Sequence, residues 1–191
     1  MKRIWICLPI LLGLAGCEML PFARELESTM LVQVLGVDWT QDGITLTGAD
    51  DPGTGEGGVL SASGKTMKEA EKNLKGMGEQ YVSLTHVTQL VLGAQTDLAQ
   101  VLASALEKNE LGQSATVWIA REGTAKELME SVGGGGKRLS SIELNSDAEP
   151  VTVLQSLMRL SEWGRVELPV LAAEGETLVY AGVRCLMEGT E

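Results

Sequence analysis

The sequence predicts a single α/β (α+β) domain, built on a mixed β-sheet that is flanked by three to four helices. Two observations carry this prediction. Short strand-like runs alternate with stretches of helical periodicity, a pattern typical of sheets covered by helices. In addition, the 191-residue chain keeps 175 residues once a 16-residue leader is set aside, a comfortable size for one domain.

The first part of the predicted domain contains strands and turns. Residues 30–38 (MLVQVLGVD) are strongly strand-like, and residues 44–49 alternate in strand fashion after the turn at 41–43. These two runs predict a hairpin. Residues 50–58 (DDPGTGEGG) predict a loop, and residues 59–64 predict a third strand.

The period of the pattern changes at Thr66. Thr66 and Glu69 have the spacing of a capping box, and Met67, Ala70 and Leu74 recur at helical spacing. The sequence therefore predicts a helix that begins here. The elements predicted after it are a strand at 87–93, a helix at 97–109, a strand at 115–120, a helix at 124–132, a mobile glycine-rich connector at 133–141, a helix at 151–163, and strands at 168–172 and 177–186.

The N-terminal segment has the layout of a signal peptide. Lys2 and Arg3 precede an apolar stretch at residues 4–14, which is about half the length that a bilayer-spanning helix needs. The tetrapeptide 14–17 (LAGC) resembles the bacterial lipobox, in which lipid is attached to the cysteine thiol before cleavage. We therefore predict a signal peptide at 1–16, a lipidated tether at 17–29 and a domain at 30–191. The alternative is an ordinary signal peptide in which Cys17 is incidental.

Lipid on Cys17 determines the expected location. Two or three acyl chains, palmitate among them, hold a protein on a membrane far longer than one chain does. No later segment contains eighteen consecutive apolar residues. The processed protein is therefore expected to lie on the outer face of a membrane without spanning it.

The charge of the chain is strongly acidic. The chain contains 26 acidic and 15 basic residues, and removal of Lys2 and Arg3 leaves 13 basic residues and a net charge near −13. Nucleic-acid binders usually carry a basic face, so no nucleic-acid partner is expected. The same excess argues against electrostatic docking of the whole domain on anionic lipids.

The three cysteines have three different expected fates. Cys7 leaves with the signal peptide, Cys17 takes lipid, and Cys185 remains without an intrachain partner. Cys185 lies in the apolar run 181–187, which predicts a buried small hydrophobic residue. An intermolecular disulfide or a reactive thiol is the alternative.

Residue types that carry catalysis are scarce. His86 is the only histidine, and we expect it to end a loop before a strand and to hydrogen-bond locally. Loop 50–58 has three carboxylates but not the EF-hand spacing, so a solvated tip is favoured over a calcium site. Residues 133–137 (GGGGK) fail the phosphate-loop pattern, because Ser131 and Arg138 occupy positions that need glycine and serine or threonine. We predict no catalytic residue, no cofactor and no metal.

Five stretches, taken in order, resemble a known family. They are residues 31–38 (LVQVLGVD), 61–70 (SASGKTMKEA), 82–93 (VSLTHVTQLVLG), 115–130 (ATVWIAREGTAKELME) and 178–185 (LVYAGVRC). Together they resemble the N-terminal domain, and only that domain, of the Ger(x)C family, the lipoprotein C subunits of spore nutrient germinant receptors.

This resemblance implies an accessory, non-enzymatic subunit. Such a subunit lies on the outer surface of the inner spore membrane beside integral A and B subunits, and acts in receptor assembly or signal transmission. The family pattern supplies no catalytic residue, so Cys17 is the one functional residue expected. The alternatives are an extracytoplasmic solute-binding lipoprotein, a general cell-envelope lipoprotein and a cell-envelope hydrolase.

Overall fold

A computed structural model describes residues 29–50, 58–77, 81–108, 112–133 and 136–187. These residues form eight strands and five helices. The strands are β1 (Thr29–Thr40), β2 (Gly43–Asp50), β3 (Val59–Gly64), β4 (Tyr81–Ser83), β5 (Gln89–Leu92), β6 (Thr116–Ala120), β7 (Arg165–Glu174) and β8 (Thr177–Met187). The helices are α1 (Met67–Lys75), α2 (Leu98–Lys108), α3 (Ala125–Ser131), α4 (Gly136–Asn145) and α5 (Val153–Trp163).

All eight strands belong to one mixed sheet, which confirms the predicted fold class. The strand order is β3-β2-β1-β5-β6-β7-β8, and β4 pairs with the beginning of β1. Strands β1, β5, β6 and β7 are parallel to one another. Strands β2 and β8 run antiparallel to β1 and β7, as short hairpin connections require.

Helices cover the sheet on both faces. Buried side chains of α1, α2 and α5 pack on one face, which we call the first face, around Leu35, Leu90 and Val117. Helices α3 and α4 pack on the other face, the second face, around Val34 and Trp118. Because β1, β5 and β6 are buried on both sides, they read as nearly continuous apolar runs.

Side-chain caps determine where several helices begin. The Thr66 Oγ1 accepts a hydrogen bond from Glu69 N at 3.2 Å, while the Glu69 carboxylate accepts one from Lys65 N rather than closing the predicted capping box. Helix α5 begins with a complete capping box between Thr152 and Gln155. These bonds satisfy amides that the first turn of a helix leaves unpaired.

The prediction of a mobile connector at 133–141 is wrong, since α4 begins at Gly136. Leu139 is fully buried on the second face of the sheet, and Ile142 packs against the same cluster. Burial of this apolar pair stabilises a helix that the glycine-rich sequence does not favour by itself. Within the described residues, five helices therefore flank the sheet, one more than the upper number predicted.

Strand β7 joins the sheet only partly. It pairs with β6 only through Val170 and Leu171. At the beginning of β6, Thr116 is paired instead with Thr152, in an isolated antiparallel bridge. The earlier residues of β7 therefore diverge from β6 and remain paired with β8 alone.

The prediction that Cys185 is buried is also wrong. The pairing of β7 with β8 shifts register between Pro169 and Leu171, and Gly182 has a φ of 104°. The extra residue reverses the alternation of side chains along β8. Leu186 consequently packs against the first-face core, whereas Cys185 is exposed.

Strand β4 was not predicted from the sequence. Its three residues pair in parallel with the first three of β1, Tyr81 opposite Thr29. A run of three residues is too short for its periodicity to be recognised. Its existence depends on the unpaired edge that the beginning of β1 offers.

Candidate functional site

The predicted site residue Cys17, with the leader and all of the tether except Thr29, lies outside the described residues. So do residues 51–57, where calcium was considered. His86 is exposed in the turn after β4. Within the described ranges no three potential metal ligands cluster, and no helix there has the length and apolarity that crossing a bilayer demands.

A buried carboxylate lies at the carboxyl edge of the parallel strands. Asp38, near the end of β1, is 6% exposed. Its Oδ1 accepts a hydrogen bond from Ala125 N at 2.6 Å, and its Oδ2 accepts one from Lys126 N at 3.0 Å. Burial raises the pKa of Asp38, and the two amide hydrogen bonds oppose that rise. Asp38 thus occupies the amino terminus of α3, where an anion would otherwise bind.

The segment that follows β5 packs closely around this carboxylate. A Cβ atom at Gly93 would collide with the Asp38 Oδ1, so only glycine fits there. Gly93 N donates to Val37 O at 3.0 Å. The Thr96 hydroxyl donates to the same carbonyl at 3.1 Å and accepts from Trp39 N at 3.2 Å. With the two amide hydrogen bonds to Asp38, five hydrogen bonds therefore join the end of β1 to its neighbours.

Arg184 closes the next gap along the same edge. Its Nη1 donates to Ala94 O at 3.2 Å, and its Nη2 donates to Arg121 O at 2.6 Å. Ala94 N also donates to Gly123 O at 3.0 Å. The residues that follow β5 and β6 are thereby joined by one guanidinium and one backbone hydrogen bond.

These contacts lie at the edge of the sheet where α/β proteins usually bind ligands. The chain leaves β5 toward α2 on the first face and leaves β6 toward α3 on the second face. In open α/β sheets, ligands bind in the crevice that such a divergence creates. Here Arg184 bridges the two sides of this divergence, and Asp38 occupies the adjacent helix terminus.

The turn before α3 is held by a second carboxylate. The Thr124 hydroxyl accepts from Glu127 N at 3.1 Å, and the Glu127 Oε2 accepts from Thr124 N at 3.0 Å. The hydrogen bonds from the backbone and side chain of Thr124 lower the pKa of Glu127. This capping box holds the amides of α3 in the direction of Asp38.

A shallow, open cleft lies beside this turn. Its volume is about 230 Å³, and its floor is formed by Leu128 and Leu171 with Arg121 and Glu122 at the rim. Ligand pockets usually hold roughly 300–1,000 Å³ and enclose most of the ligand. This cleft is below that range, and its rim ion pair is long, at 4.0 Å.

A second polar network lies beneath α4. The Trp118 Nε1 donates to the Gln89 Oε1 at 2.6 Å, and the Gln89 Nε2 donates to the Glu143 Oε2 at 2.9 Å. The Thr116 hydroxyl donates to the other oxygen of Glu143 at 3.0 Å. The network joins α4 to β5 and β6, and its groups satisfy one another inside the domain.

Sequence reasoning missed both polar groupings. The available signals were an aspartate that ends an apolar strand, a glutamine in a continuously buried strand and an arginine in an apolar strand: Asp38, Gln89 and Arg184. Each is a polar residue where the pattern predicts an apolar one. Such residues require a partner when they are buried.

These features define a mixed-sheet α+β domain with helices on both faces. At the edge where α/β sheets usually bind ligands, Asp38 and Arg184 bind the protein's own backbone. The sequence model of a protein family, the spore germination protein N-terminal domain, matches residues 23–171. The chain belongs to this family, as the resemblance predicted. No curated protein and no solved structure matches it.

Proposed function

We propose that this chain is a membrane-anchored accessory lipoprotein of a spore nutrient germinant receptor. It acts in receptor assembly or signal transmission, without catalysis, beside integral A and B subunits. Lipid on Cys17 holds it on the outer face of the inner spore membrane.

The observation that carries the proposal is the family match over residues 23–171, which begins six residues after Cys17. A lipobox directly before a spore germination domain supports a domain delivered to the membrane surface by its own leader. A tether of this length keeps the domain within about 40 Å of the bilayer even when fully extended.

The filled carboxyl edge supports an interaction protein over a solute-binding one. A solute needs an accessible cleft, whereas Asp38 and Arg184 occupy the position where α/β sheets bind small ligands. We therefore expect the domain to act through contacts of its surface with other proteins.

The test is fractionation of purified spores and growing cells, combined with the intact mass of the protein. We expect a diacylated or triacylated species in the inner spore membrane, absent from vegetative membranes, that co-purifies with integral membrane subunits. Cys17→Ser should leave the protein unlipidated, while Cys185→Ser, the matched control at the other retained cysteine, should leave lipidation unchanged.

Abundance in growing cells would contradict the germination role and favour a general cell-envelope lipoprotein. Stabilisation by an amino acid, sugar or nucleoside would instead favour the solute-binding alternative, because a ligand of the folded state raises the melting temperature.

A further inference from the structure

The two edges of the sheet differ in length and in polarity. Strand β3, at one edge, has six residues and carries hydroxyl side chains at Ser61 and Ser63. Strand β8, at the other edge, has eleven residues and pairs with no strand except β7 within the described ranges. Proteins usually protect a long edge strand, because its outer backbone groups can pair with another chain.

The second half of β8 has an exposed side that is apolar. Val183, Cys185 and Met187 are all exposed, Val183 at 56% and Met187 at 58%. Leu186, on the opposite side of the strand, packs against the core. The strand contains no lysine, no proline and no carboxylate, and its one charged side chain, Arg184, donates to backbone carbonyls of the domain. The lysines and prolines that commonly block an edge are therefore missing from this strand.

The pairing of β7 with β8 indicates where the backbone groups of this run point. Pro169 lies opposite Val183 and has no amide hydrogen to donate. A proline fits an antiparallel ladder where its nitrogen points away from the partner strand. In such a pair the opposite residue also directs its N–H and C=O away, and the direction alternates along the strand. Val183 and Cys185 therefore direct their backbone groups to the outer edge of the sheet.

We propose that this edge binds a second copy of the chain, with the two β8 strands antiparallel across a twofold axis at Cys185. The register shift near Gly182 leaves Val183–Met187 as the regular run, and Cys185 is its centre. In this register Val183 of each copy lies opposite Met187 of the other, so apolar side chains meet in both pairs. The contact is self-complementary, as a twofold interface must be.

The charge distribution favours this edge for contact between copies. The whole chain has a formal net charge of −11, so close approach of two copies is generally unfavourable. Beside the exposed run, β7 contributes Arg165 and Glu167, and these two charges cancel. More distant charges, beyond about 8 Å, are largely screened at physiological salt. A basic partner would be matched by carboxylates along the strand, and β8 contains none.

A contact that is made through one strand is small. Interfaces below about 1,200 Å² in total belong to weak and transient complexes, so we expect a reversible dimer. Confinement to a membrane would raise the local concentration of the chain, and this part of the inference rests on the proposed anchor. The pairing of the two strands does not depend on the anchor.

The first experiment cross-links the full processed chain in detergent with a short bismaleimide. Cys185 is exposed, and we expect a covalent dimer joined through the two copies of this residue. Met77→Cys in a Cys185→Ser background is the control and should give little dimer. Met77 is also 56% exposed, but it follows α1, which packs against β2 and β3 at the other edge. Peptide mass spectrometry identifies the linked residues, so a link through unlipidated Cys17 is recognised.

The second experiment blocks the edge with a charge. Val183→Lys places an ammonium group in the proposed contact, whereas Met77→Lys makes the same change in charge at a side chain of equal exposure. Sedimentation velocity over a range of concentrations should show dimer formation at least tenfold weaker for Val183→Lys and unchanged for Met77→Lys. Micelle sharing is equal in all variants and cannot produce this difference. If Val183→Lys lowers the melting temperature, Cys185→Lys provides the same test on the same side of β8.

A wild-type chain that stays monomeric at every concentration and gives no cross-link through Cys185 would overturn the inference. So would a Val183→Lys variant that dimerises as tightly as Met77→Lys. Cross-linking in spore membranes that joins Cys185 only to a different protein would assign the edge to that protein instead. The intact mass reports lipid on Cys17 independently, so failure of the proposed anchor is distinguished from failure of the dimer.

Discussion

The carboxylate of Asp38 and the backbone amide of Ala125 are joined by a hydrogen bond of 2.6 Å across 87 residues of sequence. Because Asp38 lies near the end of the central strand β1 and Ala125 begins α3, this contact fixes the start of the helix relative to the sheet. A charge-assisted hydrogen bond at a helix amino terminus is stronger than a neutral one.

Asp38→Asn should lower the free energy of unfolding by about 1–3 kcal/mol, since the amide NH₂ would oppose one of the two α3 amides. Urea denaturation followed by tryptophan fluorescence measures this. Asp42→Asn, in the exposed turn after β1, is the control and should change stability little. Equal stabilities for both variants would contradict the role of Asp38.

The raised pKa of Asp38 predicts a pH dependence with a definite sign. The folded state binds the proton more tightly than the unfolded state, so stability falls as pH rises from 3.8, the ordinary value, through the folded pKa. The difference in unfolding free energy between wild type and Asp38→Asn, measured across that window, should therefore decrease with rising pH. A difference that increases would mean that the hydrogen bonds outweigh burial.

Arg184→Gln should open the carboxyl edge. The shorter, neutral side chain cannot reach both Ala94 O and Arg121 O. The hydrogen bond from Ala94 N to Gly123 O then becomes more accessible to water. Faster amide exchange at Ala94, with a stability loss of about 1–3 kcal/mol, is the expected result. Arg165→Gln, at an exposed position on β7, is the matched control. An unchanged exchange rate at Ala94 would contradict the role of Arg184 in joining the segments that follow β5 and β6.

Glu143→Ala should loosen α4, because Gln89 and Thr116 would lose their shared acceptor beneath the helix. We expect a loss of about 1–3 kcal/mol and faster proteolysis between residues 133 and 150. A red shift in the tryptophan emission should accompany them, because Trp118 belongs to the same network. Glu174→Ala, at the exposed end of β7, should leave all three readouts unchanged.

The exposure of Cys185 predicts a reactive thiol in the folded protein. In the processed, lipidated chain a thiol reagent should titrate one equivalent without denaturant, and Cys185→Ser should remove that signal. Reaction only after unfolding would indicate that the side chain is buried after all. The lone thiol could then serve neither as a label nor as a crosslinking site.

Most of the fold follows from periodicity, and the exceptions have physical causes. The runs that became β1, β5 and β6 are apolar enough to be recognised without tertiary information. Helix α4 depends on burial of Leu139 against a sheet that the local sequence cannot reveal, and β4 depends on a neighbouring strand. The side on which Cys185 lies depends on one irregular glycine, Gly182.

The polar site was less predictable than the fold. A sequence identifies Asp38 and Arg184 as polar residues in apolar surroundings, but their partners lie 87 and 90 residues away. Nothing in local spacing relates them to the loops that they bind. Cys17, in contrast, belongs to a contiguous motif and was identified from four adjacent letters, and its lipidation stays a prediction.

Strand β1 has a mechanical consequence. Its first residues pair with β4, its later residues pair with β2 and β5, and its last residues are fastened at the carboxyl edge. Interstrand hydrogen bonds lie across the strand direction, so a pull on the chain ahead of Thr29 loads them in shear, together rather than one by one. We therefore expect the amino end of the domain to resist a pull along β1 until several of these hydrogen bonds break together.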